Sequence, residues 1–235
     1  MISHDLVRDG VELGPLTTYK VGGEARWFAE PASLEELRSI LELTPASVPV
    51  VVLGRGSNVV VSDSGWDGLV LRLAGGFLAI DVRDDGTVIA GGAAPLPVLA
   101  RTAAARGRAG LEFFVGIPGS VGGAVVMNAG GHGSDTASVL ENATVLTIGT
   151  RSVDTRPTRA LDLSYRHSNL RKDEVVVQAT FSTTTGDPKA MEQTLREITR
   201  WRKEYQPGGT LNAGSVFKNP EGAAAGALID EAGLK

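Results

Sequence analysis

The chain has 235 residues, 42% hydrophobic and 21% charged, enough for one large domain or two small ones around a substantial core. A net charge of -4 gives no electrostatic reason to expect nucleic acid or an anionic membrane surface as partner. The absence of cysteine excludes disulfides, thiolate chemistry and cysteine metal sites, and His4, His132 and His167 lack metal-ligand spacing, so no metal is expected. No run approaches the ~20 apolar residues of a membrane span, and the N-terminus has no signal-peptide pattern, so a cytoplasmic location is expected.

Residues 1–16 form an opening segment of weak periodicity. Thr17 to Ala29 reads as strand, turn and strand, broken at Gly22-Gly23. Ser33-Leu34-Glu35-Glu36 is a capping box, and Leu34, Leu37, Ile40 and Leu41 make one helical face. Pro49 to Leu53 is a short continuous apolar run that reads as a buried strand. It delivers the chain into Gly54-Arg55-Gly56-Ser57-Asn58. That turn lacks the third glycine of the dinucleotide fingerprint, and Val59-Val60-Val61 after it favours strand over helix. A Rossmann site requires strand, turn and helix, so the context is wrong for one. A plain hairpin-like turn stays open at this point.

Leu69–Leu73 and Phe77–Val82 read as strands, and Asp84-Asp85-Gly86-Thr87 is a hairpin turn before Val88-Ile89-Ala90. A helix is expected from Pro97 to Arg108, ended by Gly110. A long glycine-rich stretch follows from Gly116 to Gly133, with a small apolar run inside it. Residues 143–148 and 175–181 read as strands around a polar connector holding Ser164-Tyr165-Arg166-His167-Ser168. Composition shifts at residues 183–186. Asp187-Pro188 then opens an amphipathic helix carrying Met191, Leu195, Ile198 and Trp201, stopped by Gln206-Pro207-Gly208-Gly209. A loop through Asn212 to Pro220 leads into an alanine-rich helix over residues 223–232, ended by Gly233.

Backbone N–H groups in successive glycine-rich turns form concave nests suited to phosphate. One such turn alone is as well explained by a tightly packed loop. Two of them, at 54–58 and 116–123, fit a ligand with two phosphates.

Taken in order, Thr17 to Gly23, Leu53 to Asn58, Gly116 to Asn128, Tyr165-Arg166, Gly214 to Pro220 and Ala232 to Lys235 resemble the UDP-N-acetylenolpyruvoylglucosamine reductase (UDP-N-acetylmuramate dehydrogenase) family. The resemblance spans nearly the whole chain. It implies an α+β fold of the vanillyl-alcohol-oxidase (PCMH) type that holds FAD, with lobes at 1–74 and 75–184 and a substrate-binding domain at 185–235. It implies FAD contacts from Gly54, Arg55, Gly56, Ser57 and Asn58, and from Ile117, Pro118, Gly119, Ser120, Gly122 and Gly123. Asn128 and Gly133 would lie beside them, and the backbone at Val177 would approach the flavin ring. The family often has tyrosine where this chain has His132.

By the same resemblance, NADPH is the electron donor and the substrate is a UDP-sugar enolpyruvyl ether of peptidoglycan precursor synthesis. Arg166 matches the catalytic arginine, as befits a guanidinium that binds carboxylate through two parallel hydrogen bonds. Ser215 matches the proton donor. Tyr165, Arg202, Gln206, Lys218 and Asn219 are the substrate-binding candidates, with helix capping open for Asn219 and solvent exposure for Arg202. A third catalytic residue, a glutamate, would lie beyond Lys235. The short Arg166–Ser215 separation is similar to that of members without a tyrosine-bearing lid. No protein partner is implied. Two alternatives stay open: an impaired chain that only binds flavin or nucleotide, and another FAD-linked oxidoreductase of the same fold.

Overall fold

The computed structural model describes residues 5–205, 211 and 216–234. Its first half builds a four-stranded sheet from β1 (Val7–Glu12), β2 (Glu24–Ala29), β3 (Val50–Val52) and β4 (Trp66–Leu71), in the order β1-β2-β4-β3. β1 runs antiparallel to β2, whereas β2 and β3 both run parallel to β4. The crossover between β2 and β3 contains α1 (Leu34–Leu43). Its start is capped as the sequence requires: the Glu36 N–H donates to Ser33 Oγ at 3.1 Å, and the Glu36 carboxylate accepts the Ala32 N–H at 2.6 Å. Leu37, Ile40 and Leu41 then bury one face.

Two expectations fail in this half. The partner of β2 is β1, out of the opening segment, and residues 17–20 form no strand. β1 is an edge strand with no fully buried residue, so it carries no apolar alternation to read. Val59–Val61 form no strand either. That segment runs back over Gly22-Gly23, where Gly23 donates to the Ser62 carbonyl at 2.9 Å. A Cβ on Gly22 would stand 2.4 Å from Val61 Cβ, so the two stretches pack backbone to side chain and leave no edge for pairing.

The second half forms a five-stranded antiparallel sheet. Its strands are β5 (Ile80–Val82), β6 (Thr87–Gly91), β10 (Leu140–Thr147), β11 (Val153–Pro157) and β12 (Glu174–Ser182), ordered β11-β10-β12-β6-β5. Between them lie α2 (Leu96–Ala105), β7 (Arg108–Ala109), α3 (Val121–Met127) and a small hairpin of β8 (Gly130–Gly131) with β9 (Ser134–Asp135). β13 (Thr184–Thr185), α4 (Pro188–Tyr205) and α5 (Ala225–Glu231) complete the described chain.

Phe77 stands in a 3-10 turn, Gly75–Leu78, rather than in a strand, because Gly75 takes a φ of +50° and seats against Ala32. α2 ends before Arg108 because Gly107 turns at a φ of +68° and residues 108–109 pair with β13.

β12 is the shared wall of two cores. Val176, Ala179 and Phe181 pack with α2, α3, Phe113, Phe114 and the buried face of α4 (Met191, Leu195, Ile198). Val175 and Val177 pack the other way, with Leu146, against Trp27, Leu37, Ile40 and Leu71 of the first sheet. Burial on both faces explains the continuous apolar run of this strand.

Candidate active site

The two glycine-rich turns meet. A Cβ on Gly54 would lie 2.8 Å from Ser120 Oγ, and one on Gly119 would lie 3.7 Å from Ser57 Oγ, so the turns face each other at side-chain distance. Gly56 is buried with a φ of +65°, and a Cβ there would fall 2.2 Å from the Leu16 carbonyl. Only glycine fits that position.

Among the described residues, no backbone N–H from Gly54 to Asn58 donates to a protein acceptor, nor do those of Gly119, Ser120 and Gly123. The cradle is therefore lined by unengaged donors, the donor set that a diphosphate requires. The N–H groups of Val121 and Gly122 are different. They donate to Ala94 at 3.0 Å and Gly92 at 2.8 Å, and so fasten the second turn to the segment after β6. That supporting segment was missed in the sequence reading, although the Gly91-Gly92 pair was the signal available for it.

The other residues expected at the cofactor are distributed as follows. Arg55 and Asn58 are exposed, Ser57 is half-buried, and Ile117 and Pro118 lead into Gly119. Val177 is buried on β12, and its carbonyl accepts the Gly92 N–H at 2.8 Å. Asn128 caps α3 in the left-handed region, at a φ of 40°. Its side chain is engaged with protein on every side: Nδ2 donates to Asp135 Oδ2 and to the Ser164 carbonyl, both at 3.1 Å, and Oδ1 accepts the Ala137 N–H at 2.8 Å. Gly133, exposed at a φ of +82°, tops the β8–β9 hairpin beside His132. The His132 imidazole meets the Trp201 ring edge-on at 5.1 Å, which ties that hairpin to α4.

Arg166 occupies the tip of a two-residue hairpin closed by reciprocal bonds between Ser164 and His167, at 3.2 and 3.1 Å. Its φ of +57° belongs to a turn position that normally takes glycine. Among the described residues its guanidinium has no carboxylate partner, and Asp173 is paired instead with Arg171 at 3.0 Å. Its contact is with its own neighbour, Cζ lying 5.4 Å from the Tyr165 ring centre. Asn219 approaches the same ring, its N–H 3.4 Å from the Tyr165 hydroxyl, while its side-chain oxygen accepts the Ala225 N–H at 3.0 Å and caps α5. Lys218 is exposed beside it, and Arg202 is half-buried on α4. Ser215 and Gln206 lie outside the described residues.

The perturbed titrating groups nearby are structural. Glu174, at the start of β12, is held below the ordinary carboxylate value, first by the hydrogen bond from Arg156 at 2.8 Å, against the opposing effect of its burial. Arg156 is correspondingly pushed up, first by Glu174 and then by Asp154.

Residues 25–153 match the family model of an FAD binding domain, and residues 206–235 match that of the C-terminal domain of UDP-N-acetylenolpyruvoylglucosamine reductase. The fold is similar to the MurB reductase from Thermus caldophilus, with a TM-score of 0.85 and 36% identity, covering 97% of this chain and 81% of that one. It is also similar in fold alone to Phl p 4, a glucose dehydrogenase, at 12% identity and a TM-score of 0.57 over 78% of this chain and 42% of that one. The molecule is thus an FAD-dependent oxidoreductase with the α+β fold of the vanillyl-alcohol-oxidase (PCMH) type.

Among curated proteins, the UDP-N-acetylenolpyruvoylglucosamine reductase of Caulobacter vibrioides is 42% identical over 95% of this chain and 74% of its own length. That of Phenylobacterium zucineum is 43% identical over 98% and 77%. The chain belongs to the UDP-N-acetylenolpyruvoylglucosamine reductase family.

Proposed function

We propose that this chain carries out the NADPH-driven reduction of the enolpyruvyl ether of UDP-N-acetylglucosamine to UDP-N-acetylmuramate, in the cytoplasm, for peptidoglycan precursors. The observation that carries the reading is a pair of facing, donor-lined turns in the same fold as an unpaired arginine held at a strained hairpin tip. Bound flavin supplies hydride, first taken from NADPH, to the terminal CH2 of the enolpyruvyl group.

The chain's own residues do the rest. The free N–H groups of 54–58 and of Gly119, Ser120 and Gly123 hold the cofactor diphosphate. Arg166 grips the substrate carboxylate and stabilises the negative charge that develops beside it, the task to which a fixed guanidinium is suited. Ser215 gives a proton to the carbon next to that carboxylate; a weak acid suffices because the acceptor is strongly basic. Tyr165, Lys218, Arg202, Gln206 and the backbone of Asn219 are assigned to the sugar nucleotide. The lobes at 1–74 and 75–184 carry the cofactor, and residues 185–235 carry the substrate side.

The test separates the half-reactions. In Ser215→Ala, reduction of the bound flavin by NADPH should be unchanged and reoxidation by the enolpyruvyl substrate slowed. Equal loss in both would remove Ser215 as the acid. A purified protein without flavin absorbance would remove the cradle assignment itself.

A further inference from the structure

α3 touches both halves of the site. Its first turn grows directly out of the 117–123 cradle, and its last turn reaches the Arg166 hairpin at both ends. On one side, Asn128 Nδ2 donates to the Ser164 carbonyl at 3.1 Å. On the other, Ser168 Oγ donates to the Val126 carbonyl at 2.7 Å. Ser164 and Ser168 flank the strained tip, and the Ser164 carbonyl already accepts the His167 N–H, so Asn128 engages its second lone pair. Asp135 orients the Asn128 amide from behind at 3.1 Å, and Ala137 fixes its oxygen.

A guanidinium without a carboxylate partner has nothing of its own to hold it in place. A φ of +57° is a conformation that an arginine leaves unless its surroundings over-determine it. The two clips are what over-determine it. Neither side chain needs to touch ligand to do so.

We propose that Asn128 and Ser168 are positioning residues that clamp the Arg166 hairpin to the end of α3, fixing the arginine at a set distance from the cofactor cradle. The inference rests on the reading of Arg166 as the carboxylate-binding residue. It assigns Asn128 to the support of that arginine rather than to cofactor contact.

The variants are Ser168→Ala and Asn128→Gly, the glycine chosen because it keeps the left-handed cap while removing the amide. Each is made in the full chain with and without Arg166→Ala. Stopped-flow absorbance follows flavin reduction by NADPH and reoxidation by the enolpyruvyl substrate separately, and amide exchange follows the His167 N–H. Each clip variant should slow reoxidation roughly three- to tenfold, the worth of one hydrogen bond, and leave reduction unchanged. His167 exchange should quicken, Ser168→Thr should restore both readouts, and neither clip variant should slow reoxidation further once Arg166 is gone.

Unchanged His167 exchange in both variants would overturn the clamp. So would losses that multiply with that of Arg166→Ala, or equal loss in both half-reactions. If Arg166→Ala itself left reoxidation intact, the reading of Arg166 would fall and the positioning role with it, and quickened exchange would mark the clips as structural only. Should Asn128→Gly fail to fold, Ser168→Ala decides alone, because its hydroxyl is on the surface side of the contact.

Discussion

Gly56→Ala is the sharpest test of the facing turns. The added methyl would sit 2.2 Å from the Leu16 carbonyl and 2.7 Å from Thr17 Cα, both backbone atoms that no side-chain rotation can move. Relief requires the 54–58 turn to retreat by about 1 Å, which would break the bond from the Thr18 N–H to the Gly56 carbonyl, 2.9 Å in the parent. The left-handed φ costs about 1–2 kcal/mol for a residue with a Cβ. Overpacking adds about 1–3 kcal/mol and the lost hydrogen bond about 1 kcal/mol. Restricting the unfolded chain offsets about 0.5–1 kcal/mol. The net loss is about 3–5 kcal/mol, a fall in melting temperature on the order of 10 °C for a chain of this size. Flavin bound per protein should fall as well, because the retreating turn opens the cradle. The same substitution at Gly226, inside exposed α5 with no heavy atom within 4 Å of the new Cβ, should instead stabilise by about 0.5–1 kcal/mol. Thermal unfolding and flavin absorbance of both variants give the answer. A Gly56→Ala protein that melts with the parent and keeps its flavin would refute the close approach.

Arg166→Gly should be neutral or stabilising by up to about 1 kcal/mol, since glycine relieves the hairpin strain, yet reoxidation by substrate should be lost; a clear fall in melting temperature would show the arginine to be structural. Arg166→Lys should also slow reoxidation, because one ammonium cannot reproduce the guanidinium fork, and a rate matching the parent's would count against a two-point carboxylate grip. Glu174 has a folded pKa below its ordinary 4.5, so its contribution is fully present above that value and is lost as pH falls through the folded pKa. Urea melts should therefore show Glu174→Gln weaker by about 1–3 kcal/mol at neutral pH, with the difference shrinking in acid; a gap independent of pH would remove the charge from the explanation. Ser33→Ala should lower stability by about 1 kcal/mol through loss of the α1 cap, measured by the same melts, with no change in flavin content.

The local signals in the chain were sufficient wherever one segment satisfied its own chemistry. The capping box at Ser33 and Glu36 set the start of α1, and the doubly buried run of residues 175–181 announced β12, because burial on both faces demands apolar residues without interruption. The ordered motifs likewise named the cofactor cradle and the arginine. What failed was legible only across space. β1 is an exposed edge strand whose identity depends on β2 lying beside it, and the Val59–Val61 run lost its strand because Gly22-Gly23 occupies the place where a neighbour would pair.

The same holds within the site. Sequence placed Asn128 next to a glycine-rich turn, and proximity along the chain suggested a cofactor contact. Tertiary structure decided that its amide faces Ser164 and Asp135, residues 36 and 7 positions away. A hydrogen bond is short and directional, and its partner is chosen by the folded backbone. Residue type tells what a side chain can bond to, and only the assembled sheets and helices determine which group is within reach.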